Sequence, residues 1–410
     1  MSFGGCRFSL FLLLLLSFVS CRDEIRLPDD GGDDSSFLQA GDSAAQTLLL
    51  YIVGDNNLSS DFQGDLAEVL RAASGVPGDC FMLAYVDDYH SPRLLRFFND
   101  GGEGDYETVY NFGREMSSCD TLEMREVFNI VQREYPSKVF DVIFGSHGTG
   151  WLFDDGNRKP QLFSFGDDCV VGGNGANGKV YVEELASLLG SLSAKPRRVM
   201  FDACFMQCAE VAYAMRDCAE WLMGSPAEIP AAGAPYDVII PLFFNSTASV
   251  ADIMDAYVAC YEGGTDGVIL SAVRLGAMRE FARATAVALR SAFGSLEEVD
   301  HKALFSYLPG GYFYVGYKLP CFHDINHAMR ACLQADACNA WREAFEKAVP
   351  YSSRNALVRS YIRGVDVLLD NDCGALSFYL PSSDTRYIGL NEDFRLLEWY
   401  EAAGWNEVGW

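Results

Sequence analysis

The stretch VFDVIFGSHGTGW, residues 139–151, decides the fold. Its first six residues are almost all apolar, and a short apolar run that ends at a glycine is typical of a strand buried on both faces of a sheet. Further apolar runs alternate with segments of helical periodicity. The runs are 48–53, 81–86 and 198–201, and the helical segments are 61–73, 121–135 and 181–192. This alternation predicts an α/β fold, with a mostly parallel sheet and helices on both faces.

A histidine follows the strand at 139–144 in the small-residue turn Gly145-Ser146-His147-Gly148. Active sites of open parallel sheets lie beyond the carboxyl ends of the strands, so we expect His147 in that crevice. Gly148 lets a substrate backbone approach closely and leaves its N–H free to donate. Taken alone, His147 is explained equally well as a histidine whose hydrogen bonds are satisfied within a loop.

The strand at 198–201 runs into Asp202-Ala203-Cys204, and a helix is predicted from 205 to 216. A thiol at a helix N-terminus has a stabilised thiolate, which a nearby imidazole can activate. The backbone N–H groups of Cys204 and Gly148 are the candidate oxyanion donors. A lone cysteine at such a place is more often core packing. A histidine and a cysteine at the ends of neighbouring strands reverse that preference.

His147 precedes Cys204 by 57 residues, which is the chain order of caspase-like rather than papain-like enzymes. The stretches SHGTGW (146–151) and FDACFM (201–206) resemble the two motifs of the clostripain family of cysteine peptidases, which has the caspase-like fold. Segments at 51–58, 224–236 and 374–381 are also similar to that family, so the resemblance spans roughly residues 46–410. The resemblance implies that His147 is the general base and Cys204 the nucleophile.

The same resemblance implies an endopeptidase that cleaves protein or peptide substrates after Arg or Lys. Asp202 would line the pocket for that side chain, since a carboxylate pairs with either cation. Ser225 and Glu228 are expected to form the other wall. The alternative for Asp202 is an acid that caps the following helix. The segment 225–236 is less polar than is typical of the family, which leaves the substrate preference open.

The N-terminus is predicted to direct export. Residues 1–20 carry Arg7 and an apolar run too short to span a bilayer, as in a signal peptide. The sequence Phe18-Val19-Ser20-Cys21 resembles the lipobox of bacterial lipoproteins, which implies a lipid on Cys21 that anchors the protein to a membrane. The alternative is an ordinary signal peptide with a chance cysteine. Residues 21–45 form an acidic linker that resembles the tether of surface lipoproteins in Bacteroidetes, which favours the outer membrane or the cell surface.

Composition restricts the partners. The net charge of −26 comes without a basic stripe, so the sequence excludes nucleic acid as a partner.

We expect residues 46–245 to form the caspase-like catalytic core and residues 246–410 to extend the same fold. The competing function is a non-catalytic surface lipoprotein that binds peptide or glycan. A weaker third class is another thiol hydrolase, such as an amidase.

No cofactor is expected. Some clostripain-family members need calcium, and acids of the loop after His147 offer oxygen ligands. These acids are Asp154, Asp155, Asp167 and Asp168. Because EF-hand spacing does not occur here, a solvated acidic loop is the favoured interpretation.

Overall fold

Strands and helices alternate through the first half of the chain, as the apolar runs predict. The computed structural model describes residues 38–152, 165–168, 178–296, 299–311, 320–369 and 371–410. The strands are β1 (Ala44–Val53), β2 (Cys80–Asp87), β3 (Arg93–Asp100), β4 (Glu103–Asn111), β5 (Ser137–Gly145), β6 (Phe165–Asp168), β7 (Gly178–Val180), β8 (Arg198–Asp202), β9 (Trp221–Gly224), β10 (Ile269–Arg274), β11 (His323–Asp324), β12 (Tyr351–Arg354), β13 (Leu357–Ser360), β14 (Val365–Leu368) and β15 (Ser377–Phe378). The helices are α1 (Ser59–Ala73), α2 (Thr121–Glu134), α3 (Val182–Gly190), α4 (Ala209–Ala214), α5 (Tyr236–Phe244), α6 (Val250–Cys260), α7 (Met278–Leu296), α8 (Ile325–Cys332), α9 (Ala335–Ala348), α10 (Ile388–Phe394) and α11 (Glu398–Ala402).

The main sheet has the strand order β12–β10–β9–β8–β5–β1–β2–β3–β4. Its five central strands, from β9 to β2, are parallel. The outer strands pair antiparallel, β10 and β12 at one side and β3 and β4 at the other. The predicted α/β class with a mostly parallel sheet is confirmed.

Helices cover both faces of this sheet, which explains why residues 48–53 of β1 are all apolar. Leu50 and Ile52 pack into a core that includes residues of α1, α5 and α6. Leu49 and Tyr51 point the other way, into a core that includes residues of α2 and α3. Successive side chains of a strand alternate between faces, so a strand covered on both faces is apolar at most of its positions.

The register of the parallel strands aligns the two functional motifs. Gly145, the last residue of β5, pairs with Asp202, the last residue of β8. His147 and Cys204 therefore each lie two residues beyond a paired strand end, at the same edge of the sheet.

The second half of the chain adds to this framework. Residues 37–410 form one compact unit, and β10 and β12 extend the main sheet. Residues 375–380 do not extend it. The strand in this segment is β15, which pairs with β11 in a separate two-stranded sheet, and the Ser377 N–H donates to the carbonyl oxygen of Gln207.

The predicted signal peptide at 1–20, the predicted lipidation site Cys21 and most of the predicted acidic linker lie outside the described residues. Within the described residues, the helices are too short or too polar to cross a membrane.

Candidate active site

The loops that follow β5 and β8 are in direct contact. The Ser146 N–H donates to the Asp202 carbonyl oxygen at 3.4 Å. A Cβ on Gly148 would lie 2.5 Å from the carbonyl oxygen of Cys204 and 3.1 Å from the Cβ of Ala203. Only glycine permits so close an approach of two backbones. The structure thus joins the histidine loop to the cysteine loop through Gly148.

His147 and Cys204 line the same cavity, of about 390 Å³, at the carboxyl edge of the sheet. A second cleft, of about 490 Å³, lies beside α6 and β12, and its lining contains neither histidine nor cysteine. The cavity at the carboxyl edge is therefore the candidate active site.

Cys204 does not lie at a helix N-terminus, which corrects the prediction of a helix from residue 205. Helix α4 begins at Ala209. Directly after Cys204 the chain bends at Phe205, whose φ of 62° is uncommon for a residue with a side chain. The bend is held by a hydrogen bond from the Phe205 N–H to the Ala227 carbonyl at 3.0 Å, and by stacking of its ring on Phe322. Such strained backbone is often found at active sites.

The thiol of Cys204 is consequently not acidified by a helix dipole. Burial raises its pKa to about 12, and the negative charges of Glu228 and Asp202 act in the same direction. The Ile229 N–H donates to Sγ at 3.3 Å, which opposes that rise. The thiol is therefore protonated at neutral pH and needs a base to become a nucleophile.

The imidazole of His147 is held in one orientation by Asn57. Its Nε2 lies 2.8 Å from the Asn57 Oδ1. An amide oxygen only accepts, so Nε2 carries the hydrogen and Nδ1 keeps a free lone pair in the neutral ring. Burial lowers the pKa of His147, which favours this neutral form. A neutral imidazole is what a general base requires.

Asp202 is buried, and its carboxylate accepts three hydrogen bonds. The donors are the Ala234 N–H at 2.9 Å, the Tyr236 hydroxyl at 2.9 Å and the Tyr257 hydroxyl at 3.3 Å. Burial raises the pKa of Asp202, and the three donors lower it. The capping alternative does not hold, because α4 begins seven residues later, at Ala209.

A second carboxylate, Asp65 of α1, lines the cavity beside Asp202. A Cβ on Gly233 would lie 2.8 Å from the Asp202 Oδ2 and 3.5 Å from the Asp65 Oδ2, so both carboxylates border the same space. Burial raises the pKa of Asp65 to about 9, and the neighbouring Asp202 adds to the rise. The sequence analysis missed Asp65. Its signal is an acid between Phe62 and Leu66 on the apolar face of a predicted helix.

Glu228 lines the cavity, but its carboxylate is already engaged. It accepts the Ser360 hydroxyl at 2.5 Å and the Ile362 N–H at 2.8 Å, which ties the loop between β13 and β14 to the site. Tyr361 and Ile362 of that loop line the cavity as well. Ser225 lies behind this wall: it is fully buried, and its hydroxyl accepts the Ala227 N–H at 3.0 Å.

The interpretation of the acids after His147 as a solvated loop is wrong for Asp168. Asp168 lies at the end of β6 and is fully buried. Asp154 and Asp155 lie outside the described residues. Asp167 is half-buried, and its carbonyl accepts the Asn56 side-chain N–H at 2.7 Å.

A sequence profile of the clostripain family, the C11 peptidases, matches residues 50–410. Comparison with curated proteins gave no match. The fold, the paired motifs and this profile agree, and the chain belongs to the clostripain family of cysteine peptidases.

Solved structures are similar over almost the whole chain. One is a secreted C11 cysteine protease from Bacteroides thetaiotaomicron in complex with an irreversible peptide inhibitor. It is 26% identical, with a TM-score of 0.75 over 89% of this chain and 100% of that one. Another is an inactive zymogen C11 protease from Parabacteroides distasonis, 26% identical, with a TM-score of 0.74 over 88% of this chain and 99% of that one. A third is a B. fragilis cysteine protease, 28% identical, with a TM-score of 0.52 over 60% of this chain and 99% of that one.

Proposed function

We propose that the protein is a cysteine endopeptidase that uses His147 and Cys204 as a dyad and cleaves after arginine or lysine. The observation that carries the proposal is a single cavity in which a thiol and an oriented neutral imidazole meet several carboxylates. The carboxylates that line it belong to Asp61, Asp65, Asp202 and Glu228.

The reaction starts from a protonated Cys204 thiol and a neutral His147 imidazole. Nδ1 of His147 takes the proton from the Cys204 thiol, and the thiolate attacks the carbonyl carbon of the substrate. The N–H groups of Gly148 and Cys204 bind the oxyanion that forms. The imidazolium then gives its proton to the leaving amine, which leaves a thioester on Cys204. Water hydrolyses the thioester, with His147 again as the base.

The charge of the cavity supports the preference for a basic side chain. Arginine and lysine are absent from its lining among the described residues. Asp65 and Asp202 are buried and form no ion pair with a lysine or arginine of the described residues. A guanidinium or ammonium group between them would lower the raised pKa values of both carboxyl groups and form charge-assisted hydrogen bonds with the ionised forms.

Labelling tests the dyad directly. A biotinylated acyloxymethyl ketone with arginine or lysine before the ketone should modify wild-type protein at Cys204. Cys204→Ala should abolish labelling. Cys260→Ala, which removes an exposed thiol that does not line the cavity, is the matched control and should leave labelling unchanged.

His147→Ala tests the base separately. The thiol stays but loses its proton acceptor, so we expect turnover to fall about 10²–10⁴-fold. Turnover at the wild-type rate in His147→Ala or in Cys204→Ala would contradict the dyad. A panel of fluorogenic substrates with different residues before the bond separates an endopeptidase specific for basic residues from an amidase.

The competing function, a non-catalytic lipoprotein that binds peptide or glycan, predicts no turnover at all. Membership of a cysteine peptidase family, together with the thiol and imidazole in one cavity, favours the enzyme.

We also propose export as a lipoprotein anchored through Cys21 to the outer membrane or cell surface. The secreted state of the B. thetaiotaomicron relative supports export. Incorporation of radioactive palmitate should disappear in Cys21→Ala, and the variant should move to the medium or periplasm. Unchanged membrane attachment of that variant would contradict the anchor.

A further inference from the structure

The tip of the hairpin formed by β13 and β14 reaches the active-site cavity. Tyr361 and Ile362, in the turn between these strands, line the cavity together with Cys204. The two strands pair with each other in a separate sheet and do not join the main one. The position of the tip at the cavity therefore depends on contacts other than strand pairing.

One buried carboxylate holds this tip. Glu228 is only 4% exposed, and its oxygens accept the Ser360 hydroxyl at 2.5 Å and the Ile362 N–H at 2.8 Å. Burial raises the pKa of Glu228, and the Ser360 hydroxyl and the backbone of Ile362 and Tyr361 lower it. Donors from three successive residues thus converge on one carboxylate, an arrangement that favours an anion. Both oxygens are engaged by the hairpin, so we do not expect Glu228 to receive the basic side chain of a substrate.

The residues on either side of Glu228 contact the loop of the nucleophile. The Ala227 carbonyl oxygen accepts the Phe205 N–H at 3.0 Å, and the Ile229 N–H donates to the Cys204 Sγ at 3.3 Å. Glu228 therefore lies in a segment whose backbone contacts the cysteine loop, while its side chain holds the hairpin. This places the hairpin tip in a fixed relation to the nucleophile.

Tyr361 is held at both ends, but its ring remains accessible. Its hydroxyl donates to the Asp266 Oδ1 at 2.7 Å, and both of its chain neighbours are bound by Glu228. The residue is nevertheless 44% exposed and borders the cavity, where Pro230 and Ile362 continue an apolar wall. A rigid aromatic surface beside apolar side chains binds an apolar group at low cost in conformational entropy.

We infer that Glu228 is a positioning residue, which holds Tyr361 and Ile362 as a subsite for an apolar side chain of the substrate. That side chain belongs to the residue before the arginine or lysine, so the inference rests on the proposed cleavage after a basic residue. The cavity of about 390 Å³ lies in the range that encloses a small ligand as a whole. It therefore has room for a second substrate side chain besides the basic one.

Two fluorogenic substrates test the subsite, one with leucine before arginine and one with glycine there. In wild-type protein, leucine should raise kcat/KM about tenfold or more over glycine, the usual effect of an aliphatic side chain in an apolar pocket. Tyr361→Ala removes the ring at an exposed position and should reduce this ratio to about threefold or less, mainly through KM. Glu228→Ala releases the tip and should reduce the ratio as well.

Glu228→Gln separates positioning from recognition of charge. Its amide oxygen can accept the Ile362 N–H, and its amide N–H can donate to the Ser360 hydroxyl, so both contacts with the tip can form. We therefore expect Glu228→Gln to keep most of the leucine preference that Glu228→Ala loses. Asp366→Ala removes an exposed acid of the same hairpin that does not line the cavity. It is the matched control and should keep the wild-type ratio.

Three results would overturn the inference. One is wild-type protein that does not prefer leucine to glycine. Another is a leucine preference that Tyr361→Ala leaves intact, which decides the question even if Glu228→Ala does not fold. The third is loss of the preference for arginine over glutamine at the cleavage position in Glu228→Gln, because Glu228 would then recognise the basic side chain.

Labelling of Cys204 in wild-type protein by the basic probe distinguishes the two proposals. Without labelling and turnover, the proposed peptidase fails and the subsite fails with it. With labelling but without the expected changes in leucine preference, only the subsite fails.

Discussion

Two buried regions of the protein differ in whether the fold supplies a cation to their carboxylates. Asp141, inside β5, is fully buried, and its carboxylate contacts Arg198 at 2.6 Å, Arg197 at 2.7 Å and the Gln46 amide at 2.9 Å. At the carboxyl edge, Asp65 and Asp202 are also buried, but arginine and lysine of the described residues do not pair with them. Asp141 has its cations within the fold, whereas we propose that Asp65 and Asp202 receive theirs from the substrate.

This difference separates structural charge from functional charge. A carboxylate neutralised by its own fold contributes to the native state and has little attraction left for a ligand. A carboxylate that the fold leaves without a cation destabilises the free protein, and a cationic ligand recovers that energy on binding. Substitution of Asp141 should therefore lower the free energy of unfolding, whereas substitution of Asp202 should mainly lower activity on basic substrates.

The largest effect is expected at the compensated site. Asp141→Ala leaves the guanidinium of Arg198 buried without its partner, and removal of one member of a buried pair costs about 3–5 kcal/mol. Urea denaturation should show this loss in the free energy of unfolding. A loss below about 1 kcal/mol would mean that water or another group satisfies Arg198.

The next effect is on catalysis. Asp202→Asn keeps an oxygen that accepts from Ala234 and Tyr236 but removes the charge, so kcat/KM for substrates with arginine or lysine should fall about 100-fold, or about 2.7 kcal/mol. A substrate with glutamine at that position is the control and should lose much less. An equal loss of kcat/KM on both substrates would show that Asp202 shapes the site but does not select for a positive charge.

A third effect concerns the pH dependence of stability through Asp65. The carboxyl group ionises near its ordinary pKa of 3.8 in the unfolded chain, but burial raises the pKa to about 9 in the folded protein. Its contribution to stability is therefore full below about pH 4 and is lost as the pH rises through 9. Asp65→Asn has no such group, so between pH 4 and 9 it should lose less stability than wild type, by at least about 1.4 kcal/mol. Parallel pH profiles of the melting temperature for the two proteins would contradict this.

The smallest effect is expected for an acid that water already solvates. Glu280 pairs with Lys347 at 3.0 Å, and both side chains are more than half exposed. Glu280→Ala should change the free energy of unfolding by about 0–1 kcal/mol, because solvent screens such pairs. Chemical denaturation of this variant and of Asp141→Ala under the same conditions compares the two directly. If both lost a similar free energy of unfolding, the distinction between buried and exposed acids would not hold.

The central strands were predictable because a strand covered on both faces is apolar at most of its positions. The run at 48–53 lies within β1, and the run at 198–201 lies within β8. The start of α4 was not predictable, since residues 205–208 contain no glycine or proline to mark a boundary of the predicted helix. Tertiary hydrogen bonds override it: the Phe205 N–H donates to Ala227 and the Gln207 N–H to Ser225, so the helix begins only at Ala209.

The sequence by itself determined the α/β class and the edge of the sheet at which His147 and Cys204 both lie. The pattern of apolar residues and the order of the strands along the chain are sufficient for both predictions, because parallel strands end at a common edge of the sheet. The tertiary structure alone decided that Asn57 orients the histidine, that Asp65 joins Asp202, and that Glu228 holds the turn between β13 and β14. The physical reason is that these contacts join segments tens of residues apart, and their meeting depends on how α1, β13 and the connecting loops pack, which no local pattern in the sequence encodes.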